Sequence, residues 1–98
     1  MKKPPPKIDN AEVLYWAWAE GKPFGNINYS DGSLAAEVFG LAICQYENSD
    51  VYYRFSCDQN WESIQDFDYH SIEEAKTELP QQYRKVFAHW IKFKIDKP

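Results

Sequence analysis

Glycine, cysteine and histidine are scarce in this sequence, and each scarcity removes a class of chemistry. The four glycines, Gly21, Gly25, Gly32 and Gly40, are scattered through turn and strand patterns, so no glycine-rich loop is available to cradle a phosphate. Two cysteines do not make a disulfide framework. Cys44, Cys57, His70 and His89 stand 13, 13 and 19 residues apart, whereas structural zinc sites draw their ligands from short-spaced pairs. Long apolar runs are missing too: VFGLAICQY, the longest near the middle, falls far short of the ~20 residues that span a bilayer. The amino-terminal MKKPPPK is basic, but no apolar stretch follows it. No export signal is read, and a cytoplasmic location with reduced thiols is expected.

Basic residues are rare through the body of the chain. Residues 8 to 83 hold fourteen Asp and Glu against Lys22, Arg54 and Lys76, a net of −11, and the two ends bring the total back to −4. A phosphate backbone is recognised by clustered Lys and Arg, so this balance argues against nucleic acid and favours a basic protein partner. Aromatic residues are abundant: four Trp, seven Tyr and six Phe make up 17% of the 98 residues. Each buried ring removes on the order of 150 to 250 Å² from water, enough for a few of them to anchor a small core.

The chain divides into a flexible basic and proline-rich arm over residues 1–7, one α+β domain over 8–94 and a tail over 95–98. Asp9 with Glu12 three residues on has the pattern of a capping box, and Ile8 and Val13 stand at the staple positions. Gly21 and Pro23 would then stop a helix over 10–20, although Leu14, Trp16 and Trp18 also alternate as in a strand. Short aromatic and β-branched runs predict an antiparallel meander of three or four strands near 24–29, 36–46, 51–57 and 61–68. Residues 34–46 fit a helix as well, because Leu34, Val38, Leu41 and Ala42 follow a 3.6-residue period. Ser71 and Glu74 form a second capping box before IEEAKTEL. After Pro80, Tyr83, Val86, Phe87, Trp90 and Ile91 make one apolar stripe, which predicts a further helix packed on one sheet face.

The richest stretch is YYRFSCDQNWESIQDFDYH, residues 52 to 70. A three-residue loop at Asp58, Gln59 and Asn60, with Asn60 left-handed, pairs Cys57 with Trp61. Tyr52, Arg54 and Ser56 then share a face with Glu62, Ile64, Asp66 and Asp68. The alternative register sets carboxylates beside Phe55 and Tyr53, where unpaired charge is costly.

The function expected from these features is that of a small acidic, non-enzymatic protein-binding domain. Tyr52, Arg54, Glu62, Asp66 and Asp68 are its candidate contact residues. An immunity-type inhibitor of a basic, nuclease-like partner is the sharpest version, since carboxylates can occupy a site built for phosphates. The alternative is a small enzyme or metal-dependent module using Asp66, Asp68 and His70, which alternate in DFDYH, together with Cys57. An EF-hand reading fails, because Ser71 and Thr77 stand where a glycine and a glutamate belong. No cofactor is implied.

Overall fold

Asp9 and Asn10 both hold positive φ, 48° and 69°, the geometry of a two-residue hairpin turn that Asn and Asp adopt readily. Asp9 is therefore a turn residue, not a helix cap. The turn joins strand β1 (Lys7–Ile8) to β2 (Ala11–Trp18), with Ile8 opposite Ala11. The computed structural model describes residues 2–84 and 86–94, and within them the chain is mostly β. The expected α+β arrangement is corrected: the described residues hold one short helix, one 3-10 turn, no amino-terminal helix and no carboxy-terminal helical segment.

The strands follow in order as β3 (Gly25–Asn28), β4 (Leu34–Val38), β5 (Gly40–Gln45), β6 (Tyr52–Cys57) and β7 (Ser63–Tyr69). Helix α1 (Ile72–Thr77), a 3-10 turn at Gln81–Tyr83 and β8 (Ile91–Lys92) complete the described chain. The main sheet runs β1-β2-β5-β6-β7, with β8 also pairing β2, and every pairing is antiparallel. β3 and β4 form a separate two-stranded ribbon. The stretch over 34–46 that also fitted a helix is strand on both sides of Phe39.

A bulge between Val13 and Tyr15 in β2 explains the ambiguous periodicity there. Leu14 is the extra residue, so Val13, Trp16 and Trp18 all reach one face, a spacing that mimics a helical stripe. On that face Ile8, Ala11, Val13, Trp16, Ala42, Cys44, Phe55, Cys57 and Trp61 form the first core. Ala17, Ala19, Phe24, Val38, Leu41 and Tyr83 form the second, on the opposite face. Residues 2–6, read as an arm, lie against the first core, and Pro4 is buried.

The carboxy-terminal apolar stripe is not a helix, for a reason in β2. A strand inside a sheet needs partners on both sides, and beyond β1 the outer edge of β2 is met by β8, which pairs Tyr15 with Lys92 and Trp16 with Ile91. Aromatic and β-branched residues in HWIKF suit that extended role. Phe87, assigned to the stripe, is 76% exposed. The Lys85 position and the expected tail at 95–98 lie outside the described residues.

Helix α1 starts as the sequence indicates. The Ser71 hydroxyl accepts from the Glu74 N–H at 3.0 Å, while the Glu74 carboxylate accepts from the His70 N–H, one residue earlier than in a standard capping box. It ends before Pro80, since the residue preceding a proline resists helical geometry.

Gly40 lies against Trp61: a Cβ there would stand 2.5 Å from the indole ring. Gly40→Ala is expected to cost about 1–3 kcal/mol by overpacking, read as a lower urea midpoint followed by tryptophan fluorescence. An unchanged midpoint would show that the ring can withdraw.

Candidate functional site

The β6–β7 hairpin carries most of the candidate residues, and its register is not the expected one: it is longer in the loop than either register considered, but it gives Asp66 and Asp68 the faces that the alternative one would. Tyr52 pairs with Tyr69, Tyr53 with Asp68, Arg54 with Phe67, Phe55 with Asp66 and Ser56 with Gln65; after a bulge, Cys57 pairs with Ser63. The connection is longer than three residues and its left-handed residue is Trp61, φ 62°, instead of Asn60. The Asp58 carboxylate organises it by accepting from the N–H groups of Asn60 at 2.8 Å and Glu62 at 3.0 Å. That bond pattern is an Asx-type turn, which the spacing alone did not reveal.

The register divides the expected contact residues between the two faces of the sheet, because directly paired residues share a face. Tyr52 and Arg54 point to the side covered by α1. Asp66 and Asp68 point to the side of Phe55 and Tyr53. Both carboxylates are exposed despite that company, because among the described residues β7 is the outermost strand of the sheet and bonds only to β6. The desolvation cost that disfavoured this register is avoided at an edge. Glu62 is exposed in the connecting loop.

Arg54 is fully buried. Its Nη1 donates to the Ala75 carbonyl at 3.3 Å and the Glu78 carbonyl at 2.9 Å, at the carboxy-terminal end of α1 where a cation is favoured. Its guanidinium carbon lies 5.1 Å from the Tyr69 ring centroid and 5.8 Å from that of Phe67. Nε and Nη2 have no hydrogen-bond partner among the described residues. Burial holds the guanidinium below its usual range, and Tyr69, Tyr83 and Glu78 oppose the shift. Arg54 thus ties the sheet to α1 from behind β7.

The face that carries Asp66 and Asp68 also presents residues that sequence reasoning passed over. Tyr46 and Tyr53 meet edge to face with centroids 5.4 Å apart, and Tyr53 stacks on Phe55 at 6.3 Å. Tyr46 is 36% exposed. Its hydroxyl is pushed up first by loss of solvent and then by Asp9 and Asp66, which places both carboxylates within electrostatic reach of the ring. The result is a tyrosine pair bordered by Asp9, Asp66 and Asp68. Strand alternation within residues 51 to 57 could have found Tyr53; Asp9 and Tyr46 join it only through the pairing of distant strands.

The enzyme-like constellation is not gathered. Cys57 sits at the loop end of the hairpin and His70 follows its other end, five β6 residues away, or about 17 Å at strand spacing. Burial and then Asp58 and Asp9 push the Cys57 thiol up to about 12, and burial and then Cys57 push Cys44 up further, so both are packing groups and poor nucleophiles. Among the described residues no group of three or more His, Cys, Asp and Glu side chains is arranged to hold a metal ion. Also among them, no helix is long and apolar enough to cross a membrane. Compared with protein-family models, with curated proteins and with solved structures, the chain finds no match.

Proposed function

We propose that this chain is a small non-enzymatic binding domain that meets a basic protein surface with the open face at β7, in the manner of an immunity-type inhibitor of a nuclease-like partner. The observation that carries the reading is the juxtaposition on one face of the Tyr46–Tyr53 pair with exposed Asp66 and Asp68. Tyrosine supplies large contact area at low entropic cost, and interface anchors are enriched in it. Carboxylates beside it steer a basic partner and mimic the phosphates that such a partner binds. Glu62 extends the negative charge along the hairpin. Arg54 contributes from behind, its guanidinium against the Phe67 and Tyr69 rings of β7, and Tyr52 shares that covered side through its pairing with Tyr69.

Unpaired edge strands are also guarded by charge against self-association, and one variant separates the two roles. Glu62→Gln, Asp66→Asn and Asp68→Asn together keep side-chain size and remove three charges. Under the binding reading the variant keeps the oligomeric state of the unaltered chain, while its association with a basic partner captured from the native source slows roughly tenfold or more and loses its salt dependence. A photo-crosslinker at Tyr46, on the same face as Asp66 and Asp68, should label that partner, and one at Glu37 should not. Unaltered capture together with new self-association would reduce the carboxylates to edge protection.

A further inference from the structure

Residues 2–6 cross the aromatic end of the first core. The Lys2 carbonyl accepts a hydrogen bond from the Trp61 indole Nε1 at 3.0 Å. The Lys2 ammonium donates to the Gln59 carbonyl and stands 5.9 Å from the Trp18 ring centroid. Lys3 donates to the Lys94 carbonyl at 3.0 Å and lies 4.8 Å over the Phe93 ring. Between these two anchors and the sheet, Pro4 is buried, while Pro5 and Pro6 edge a hollow shared with Lys7, Glu12 and Phe93. Trp18 lies 5.4 Å from Trp61 and 6.0 Å from Phe39, completing an aromatic floor.

The chemistry of the segment is unusual for a structural strap. Three consecutive prolines fix φ and push each preceding residue toward extended geometry, so the segment is biased to a polyproline II helix before it docks. Such a helix bonds none of its own carbonyls and loses little entropy on binding. Aromatic grooves recognise it through ring faces and a donor aimed at one carbonyl, the roles here of Phe93, which shares the hollow with Pro5 and Pro6, and of the Trp61 indole, while Trp18 faces the Lys2 ammonium. Three lysines, Lys2, Lys3 and Lys7, flank the prolines, and the acidic body complements them.

We infer that this aromatic end is a peptide-binding groove whose ligand is a basic polyproline II segment. Residues 2–6 fill it as an intramolecular ligand, and a segment of the same chemistry from another protein displaces them. The hold in cis is made mostly at the surface: the Lys2 and Lys3 contacts are exposed or half-exposed, one side chain among residues 2–6 is buried, and the backbone bond from the Val13 N–H to the Pro6 carbonyl, 2.9 Å, lies at the segment's far end. A tethered ligand acts at an effective concentration on the order of millimolar, so a free peptide binds more tightly once the tether's own affinity is lowered.

The test uses the full chain with Pro4→Gly and Pro5→Gly, the peptide acetyl-KKPPPKI-amide as probe and acetyl-KKGGGKI-amide as control. In the variant the Trp61 indole N–H resonance should leave its hydrogen-bonded position. The proline peptide should return it saturably, binding roughly tenfold or more tighter than to the unaltered chain, and the glycine peptide should not. A variant resonance that stays in place, or equal binding of both peptides, overturns the groove. If the variant does not fold, the unaltered chain decides: shifts confined to Trp18, Trp61 and Phe93 at about 10 mM proline peptide support it, and no shift overturns it. Sedimentation of the unaltered chain as a dimer with exchanged segments would replace the foreign partner by a second copy and overturn that half of the proposal.

Discussion

Arg54→Ala should remove on the order of 3–5 kcal/mol of stability, a large share of the ~5–15 kcal/mol that holds a domain of this size together. The loss has three sources. The side chain is fully buried, so its removal leaves a cavity between β6 and α1. The Ala75 and Glu78 carbonyls lose the charged donor that reaches them from β6, and hydrogen bonds to a charged group contribute about 1.5–3 kcal/mol each. Tyr69, whose hydroxyl donates to the same Glu78 carbonyl at 3.2 Å, loses the guanidinium against its ring. Arg54→Met keeps most of the volume and removes a buried charge with two nitrogens, Nε and Nη2, that have no hydrogen-bond partner among the described residues. Replacing buried charge with a well-packed apolar group is often tolerated, so Met should recover roughly half of the loss at Ala. Urea denaturation of both variants measures this. Equal, small losses would show that α1 is held to the sheet by its apolar contacts alone.

Tyr83→Ala should cost about 3–5 kcal/mol, and Phe87→Ala close to nothing. Tyr83 has no exposed surface, packs in the second core, and donates its hydroxyl proton to the buried Ser56 Oγ at 3.2 Å. A Cβ at Gly25 would stand 2.6 Å from its ring, so the ribbon of β3 and β4 is fitted to this side chain. Tyr83→Phe isolates the hydrogen bond and should cost about 1 kcal/mol. Phe87 is largely exposed, lying edge to face with His89 at 4.6 Å. Thermal and chemical denaturation of the three variants provide the check. Comparable losses at 83 and 87 would restore the helical stripe that the spacing of Tyr83, Val86, Phe87 and Trp90 predicts.

These positions show where sequence signals were sufficient. Ser71, Glu74 and Pro80 placed α1 because a cap hydrogen bond and a proline act within one or two turns of the chain. The β6–β7 hairpin was legible for the same reason: alternation of aromatic and polar residues specifies strands locally. The Asp9–Asn10 pair carried a local signal too, but Asp9 serves equally as a helix cap or as a turn residue, and sequence alone weighed the wrong role. Helix propensity is a weak prior against the burial of two tryptophans in a sheet core.

The amino-acid sequence by itself determined the acidic body, the aromatic content, the site of α1 and the strand character of residues 51 to 57. Each of these depends on composition or on contacts between near neighbours. Tertiary structure decided the rest: the bulge at Leu14 that brings Trp16 and Trp18 to the face of Val13, the register that sets Asp66 beside Phe55, the burial of Arg54 against α1, and the extended course of residues 91–92. All four arise from pairing between distant segments. A strand adopts the face and register that satisfy its neighbour's backbone and bury its neighbour's side chains, and that neighbour lies too far along the chain for any local pattern to reveal it.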